Sequence, residues 1–270
     1  MEFIKMRDGY EIYFRDEPAQ NPKGVITITH GFAEHCSRYD HVSNYLIREG
    51  YSIIRYDLRG HGRNKKRGRL NRFEDYVDDL AEIVQMVSEK YPHLPQITLG
   101  HSMGGLITAL YGIEHPNLVT AQILSGPTVG KLPSAEKLQP GMMKFLSGIA
   151  GGWKLKNPVD EGLCGKEGVY EDYINDPLVL HKVSLELYYQ FLFRASEMIL
   201  EGAKEYNYPC LIIHGKIDPI VPVEISRSFY NTISSQKKDL IEYDGLYHEI
   251  LNEDKKDEIL DGIINWIKNL

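Results

Sequence analysis

Short runs of consecutive apolar, β-branched residues recur along the chain, separated by longer stretches in which apolar positions return every third or fourth residue. The runs VITIT (25–29), SIIRY (52–56), QITLG (96–100), AQILS (121–125), CLIIH (210–214) and LIEYD (240–244) are mostly apolar on neighbouring rather than alternate positions, the pattern of strands covered on both faces. Between them Phe73, Val77, Leu80, Val84 and Val87 keep helical spacing, with Asn71 as the expected N-cap and Pro92 just past the end. Ile259, Ile263, Trp266, Ile267 and Leu270 repeat that spacing in the final segment. Ahead of these elements, EFIKM and YEIYF flank Asp8-Gly9, which predicts a hairpin closed by a tight two-residue turn. Strand–helix alternation of this kind predicts an α/β fold with a mainly parallel sheet flanked by helices.

The alternation lapses between residues 128 and 206, where GMMKFLSGIAGGW and SLELYYQFLFRASEMIL read as helices with loops between them and no core strand appears. An insertion at 128–206 between two core strands is the simplest account, leaving residues 1–127 and 207–270 to form the core.

Composition narrows the function classes. At 270 residues the chain can bury a large core. Its net charge of −7 argues against nucleic acid as a partner. Cys36, Cys164 and Cys210 show neither paired spacing nor a zinc signature, and the N-terminal sequence has no secretory pattern. No apolar run approaches the ~20 residues needed to span a bilayer. The expected compartment is the reducing cytoplasm, with peripheral contact to membranes left open.

The stretch LGHSMGGL (99–106) places Ser102 among three glycines. Gly100-His101-Ser102-Met103-Gly104 fits G-x-S-x-G, and it follows a strand and opens a helix, the context of a nucleophile elbow. Two readings stand side by side: glycines that serve close packing, or glycines that lift a serine nucleophile to the carboxyl end of the sheet. A serine nucleophile needs a base and an orienting carboxylate, in the chain order Ser, Asp or Glu, His. Asp218 in CLIIHGKIDPIVP and His248 in LIEYDGLYHEIL satisfy that order, each in a loop that follows a late strand. Asp57 precedes the serine and reads as a brace for its own loop; Asp244 lies too close to His248 in sequence to orient it. His101 is expected to point away from the nucleophile, and His30 and His214 to brace loops. For an oxyanion, the backbone N–H of Met103 and of Phe32, in the loop after an early strand, are the expected donors.

Together HGFAEHCSRYD, YDLRGHG, LGHSMGG, NDPLV, IIHGKIDPIVP and GLYHEIL resemble the monoacylglycerol lipase and lysophospholipase group of the α/β-hydrolase fold, over almost the whole chain and in the same order. The resemblance implies a serine esterase with the triad Ser102, Asp218 and His248, an oxyanion hole from Phe32 and Met103, and a helical cap at 128–206. It also implies that Glu34 and Arg38 lie at the polar end of the pocket, where an alcohol group would bind. A helical ion pair between them is the alternative. The implied substrate is a lipid ester, most simply a monoacylglycerol. No cofactor or metal and no obligate protein partner are implied. A lysophospholipase, a carboxylesterase or thioesterase, an aminopeptidase and a slow-turnover receptor are the rivals. The chain departs from the group where Arg63 and Asn64 follow RGHG, in place of the usual serine, and where Cys36 replaces a small polar residue. The first departure completes a basic cluster of Arg55, Arg59, Arg63, Lys65, Lys66, Arg67, Arg69 and Arg72, which reads as a phosphate or anionic-lipid site or as a solvated loop. Met142, Met143, Phe145, Leu146, Ile149 and Trp153 read as a face for lipid or as ordinary packing.

Overall fold

The computed structural model describes residues 2–115, 118–159 and 161–270. Six strands precede the insertion: β1 (Glu2–Lys5), β2 (Glu11–Glu17), β3 (Gly24–Thr29), β4 (Tyr51–Tyr56), β5 (Gln96–His101) and β6 (Ala121–Ser125). Within the insertion β7 (Lys154–Lys156) and β8 (Lys182–Ser184) form a separate antiparallel ribbon. Two more strands, β9 (Cys210–Gly215) and β10 (Lys238–Tyr243), complete an eight-stranded sheet in the order β1-β2-β4-β3-β5-β6-β9-β10. In this sheet β1 pairs antiparallel with β2 and β2 antiparallel with β4, while β4, β3, β5, β6, β9 and β10 run parallel to one another.

Helices cover both faces, which is why the strands are apolar on consecutive positions. On one face α1 (Asp40–Arg48) and α10 (Lys256–Lys268) bury Val42, Leu46, Ile259 and Ile263 against Ile28, Ile53, Leu99 and Ile213. On the other, α2 (Glu74–Lys90) and α3 (Met103–Glu114) share a core with Val25, Ile54, Leu124 and Ile212. The edge strand β10 alternates between more and less exposed positions, as a strand with one open side should.

Between β6 and β9 the chain adds α4 (Pro133–Glu136), α5 (Pro140–Ala150), α6 (Val169–Asn175), α7 (Leu185–Tyr189), a π-helical stretch at Gln190–Arg194 and α8 (Ala195–Gly202). Helix α9 (Val223–Thr232) connects β9 to β10.

Two local expectations are corrected. The β1–β2 register pairs Lys5 with Glu11, and Met6 N–H donates to the Tyr10 carbonyl at 2.8 Å, so the hairpin closes with three residues, Arg7–Gly9. Only Gly9 takes a positive φ, +86°. The Asp8 carboxylate instead accepts from Tyr10 N–H at 2.9 Å. Nor does Asn71 cap α2: Phe73 is the N-cap and offers no side-chain bond. The terminus is held from the insertion, because Gln190 accepts from Phe73 N–H at 3.1 Å and donates to the Asn71 carbonyl at 2.8 Å.

Candidate active site

Parallel strands deliver their following loops to one edge of the sheet, and that edge collects Ser102 after β5, Asp218 after β9 and His248 after β10. Ser102 is the residue before α3, with φ +53° and ψ −118°. A non-glycine residue there costs about 1–3 kcal/mol and persists only when its surroundings impose it. They do so: Ser102 N–H donates to the Ser125 carbonyl at 2.9 Å, and Thr128 N–H donates to the Ser102 carbonyl at 3.2 Å. The glycines serve close packing, and that packing sets the raised turn at Ser102. A Cβ on Gly100 would stand 2.5 Å from Thr108 Oγ1, so the tight crossing of strand and helix that raises the serine needs that glycine.

Asp218 is buried and fully engaged. Its Oδ1 accepts from Ile220 and Val221 N–H at 2.8 and 2.9 Å. Its Oδ2 lies 2.6 Å from His248 Nδ1 and 3.1 Å from His214 Nε2. Because His214 Nε2 also faces the Val221 carbonyl at 2.8 Å, this nitrogen must carry its proton, and Nδ1 then accepts from Ser226 Oγ at 2.7 Å. His214 is thus a brace, as expected, but a brace of Asp218 itself. Burial opposes ionisation of Asp218, yet the His248 charge and these donors outweigh it and hold the carboxyl far below its usual range. For His248 burial works against the charged ring, while Asp218, Glu249 and Glu34 favour it, and the net shift is upward. With Nδ1 committed to Asp218, Nε2 is left toward the cavity that Ser102 also lines. Among the described residues Ser102 Oγ forms no hydrogen bond, so in this structure serine and imidazole share a cavity wall without a hydrogen bond between them.

His101 does not turn away from the site altogether. Its ring lies 4.8 Å from that of His248, and burial, then the neighbouring His248 charge, push it down to about 3. It is a neutral wall beside His248. Asp57, His30 and Asp244 behave as expected. Asp57 accepts from Cys36 and Arg63 N–H, His30 accepts from Leu58 N–H, and Asp244 pairs with Lys216.

The two N–H groups expected to serve an oxyanion flank the site in the chain: Met103 follows Ser102, and Phe32 follows Gly31, which lines the same cavity. Met103 opens α3, where N–H groups lack intrahelical partners and the helix end is positive. Phe32 lies in the loop after β3. Neither N–H has a hydrogen-bond partner among the described residues.

Glu34 and Arg38 do form a pair, at 3.0 Å, but it is buried and has a third member that the sequence reading missed. The Arg38 guanidinium also grips both oxygens of Glu249, and it lies 4.8 Å from the Tyr173 ring centroid. Glu34 accepts in addition from Gly31 N–H and Tyr39 OH. Glu34 and Glu249 line the cavity at its polar end, whereas Arg38 stands behind them. Glu249 follows His248 in the sequence, but its partner lies 211 positions away, and no local pattern announces that.

The cavity measures about 470 Å³, within the range of small-molecule sites. Beyond the serine its wall is apolar and comes largely from the insertion: Leu132, Met143, Leu163, Tyr188, Phe191 and Leu192. The basic cluster is mostly neutralised. Arg55 pairs with Glu17 and Asp40, Arg59 with Asp79 and Asp8, and Lys65 with Glu11, while Arg67 donates to the Leu178 and Val179 carbonyls. Asn64, at the departure after RGHG, is buried and ties its loop by accepting from Tyr13 N–H and donating to the Asp57 carbonyl. Among the described residues no group of His, Cys, Asp and Glu is placed to hold a metal, and no helix is long and apolar enough to cross a membrane.

Residues 20–255 match the family Hydrolase_4, described as serine aminopeptidase, S33. A monoacylglycerol lipase of Mycolicibacterium smegmatis is 33% identical over 93% of this chain and 90% of its own length. A phospholipase of Bacillus subtilis is 29% identical over 89% of this chain and 93% of its own. The crystal structure of a monoacylglycerol lipase from Paleococcus ferrophilus superposes with a TM-score of 0.86 at 28% identity, covering 95% of this chain and 98% of that one.

Proposed function

The chain belongs to the Hydrolase_4 family of α/β-hydrolases, in the group that holds the monoacylglycerol lipases; it is a hydrolase of lipid esters, and we propose that it cleaves monoacylglycerols through a serine acyl-enzyme. The observation that carries the reading is a Ser–His–Asp set at the junction of an apolar cavity and a small polar recess. The acyl chain lies along Leu132, Met143 and Phe191, and the glycerol hydroxyls face Glu34 and Glu249. His248 Nε2 takes the proton of Ser102 as the oxygen attacks the ester carbonyl. Asp218 keeps the imidazole in the required tautomer and stabilises its charged form. The N–H groups of Phe32 and Met103 bind the oxyanion. His248 then protonates the departing glycerol and activates the water that frees the fatty acid. Residues 128–206 act as the cap that supplies the acyl wall.

The pairing of the basic cluster favours a neutral alcohol over a phosphate-bearing one, because Arg59 and Arg67 already have carboxylate or carbonyl partners. A peptidase reading needs a carboxylate free to hold an amine, and both Glu34 and Glu249 are occupied by Arg38. The test is fatty-acid release from a monoacylglycerol and from a lysophosphatidylcholine of the same chain, with Ser102→Ala as control. Faster release from the glycerol ester, absent in the control, is expected; preference for the phospholipid would overturn the substrate assignment. Cleavage of neither, alongside stoichiometric labelling of Ser102 by a fluorophosphonate, would make the chain a receptor.

The cap also supports peripheral contact with lipid. Met142, Phe145, Ile149 and Trp153 are 54–69% exposed along α5 and its end, while their neighbour Met143 reaches the cavity. An exposed apolar face of this kind beside a lipid site marks an interaction surface. Replacing Phe145 and Trp153 by aspartate should reduce co-sedimentation with phosphatidylcholine vesicles and leave hydrolysis of a dispersed short ester unchanged. Undiminished vesicle binding would remove the face from this role.

A further inference from the structure

The loop that carries the Phe32 N–H is held in an unfavourable conformation, and what holds it comes from the far end of the cap sequence. Ala33, fully buried, has φ +64°, a region that side-chain-bearing residues rarely occupy. Three contacts reach this loop from residues 176–191. Leu180 N–H donates to the Ala33 carbonyl at 2.8 Å. Asp176 Oδ2 lies 2.8 Å from His35 Nε2. The Phe191 ring stacks on Phe32 at 5.1 Å with 18° between the planes. Asp176 is itself fixed, since its Oδ1 accepts from Leu178 N–H at 2.7 Å, and Arg67 holds the carbonyls of Leu178 and Val179. On the His35 ring, Nδ1 is buried without a partner among the described residues, so within them the imidazole is tied by its bond to Asp176.

We infer that the 176–191 segment of the cap is part of the oxyanion hole's framework, with Asp176 and His35 as positioning residues that keep the strained Ala33 turn, and with it the Phe32 N–H, aimed at Ser102. This rests on the reading of Phe32 as an oxyanion donor. The core supplies its own share, because Glu34 accepts from Gly31 N–H and His30 donates to the Gly31 carbonyl. Those bonds fix the residues before Phe32. After Phe32 the core holds Glu34 through Tyr39 and Arg38, while among the described residues the bonds to the Ala33 carbonyl and the His35 ring come from the cap. The contact belongs to the transition state rather than to substrate binding, since an N–H that swings off the oxyanion costs most when charge develops there.

The test is a set of steady-state measurements on Asp176→Ala, Ala33→Gly and the double variant, using the ester that the wild type cleaves best. Asp176→Ala should lower kcat by about tenfold, less than the 10²–10³ lost with a whole oxyanion donor, and leave KM within about twofold. Glycine adopts a positive φ without steric cost, so Ala33→Gly in the Asp176→Ala background should recover most of the lost kcat. A merely structural bond would lower the melting temperature without this split or this rescue. An unchanged kcat in Asp176→Ala, or a loss that Ala33→Gly fails to restore, overturns the inference. A wild type that cleaves no ester instead overturns the functional reading beneath it.

Discussion

Asp218→Asn should lose on the order of 10³–10⁴ in kcat while keeping its fold. The asparagine oxygen can still accept from Ile220 and Val221 N–H, so the loop after β9 stays in place. Its amide nitrogen then faces His248 Nδ1, where a proton acceptor stood before. The imidazole responds by moving its proton to Nε2, the nitrogen needed as a base, and the ring can no longer take the Ser102 proton. The pH profile carries a second signature. Asp218, Glu249 and Glu34 raise His248 above the usual histidine value of 6.5 despite its burial. Catalysis needs the neutral ring, so wild-type kcat/KM should fall as pH drops through a midpoint above 6.5. Losing the Asp218 charge should move that limb to lower pH. Near-normal turnover in the variant would remove Asp218 from the triad.

Gly104→Ala is the second large effect, this time on stability. A Cβ at Gly104 would strike the Thr29 and His30 carbonyl oxygens, both well under 3.0 Å away. Those atoms belong to β3 and the start of the oxyanion loop and cannot step aside as a flexible side chain could. A clash of this kind falls among the exceptional substitutions, costing about 4 kcal/mol or more, which for a chain of this size is on the order of 10 °C in Tm. Activity should fall with it, because the displaced atoms lead directly to Phe32. Gly141→Ala is the matched control. It lies in the first turn of α5 with nothing within 4 Å of the added Cβ, and alanine is there the better helix former. Equal melting curves for Gly104→Ala and wild type would mean the elbow is looser than this packing implies.

What could be read from the chain beforehand was whatever a short window contains. Consecutive apolar residues in β3–β6 and β9 reported burial on both faces. The elbow glycines and the order Ser102, Asp218, His248 followed from local motifs plus the rule that parallel strands send their loops to one edge. What stayed hidden depends on partners distant in sequence. Gln190 caps α2 across 117 positions, and no pattern around Asn71 reveals that. Glu249 turns an i, i+4 pair into a buried triad through a contact 211 residues long. The basic run after β4 looks like an anion site only until Asp8, Asp79 and Glu11 are brought against it. Charge composition cannot distinguish a run that awaits a ligand from one that the fold has already paired. The hairpin itself is as expected and only its turn length differs: Asp-Gly fits both a two-residue turn and the last two positions of a three-residue loop, and register decides between them.

The most direct test of the central claim is the mass of the intact protein after reaction with a fluorophosphonate, followed by mapping of the modified peptide. The account predicts one adduct per chain, on Ser102, formed in step with the loss of ester hydrolysis and absent in Ser102→Ala. An adduct on another residue, or full hydrolytic activity in Ser102→Ala, would contradict it.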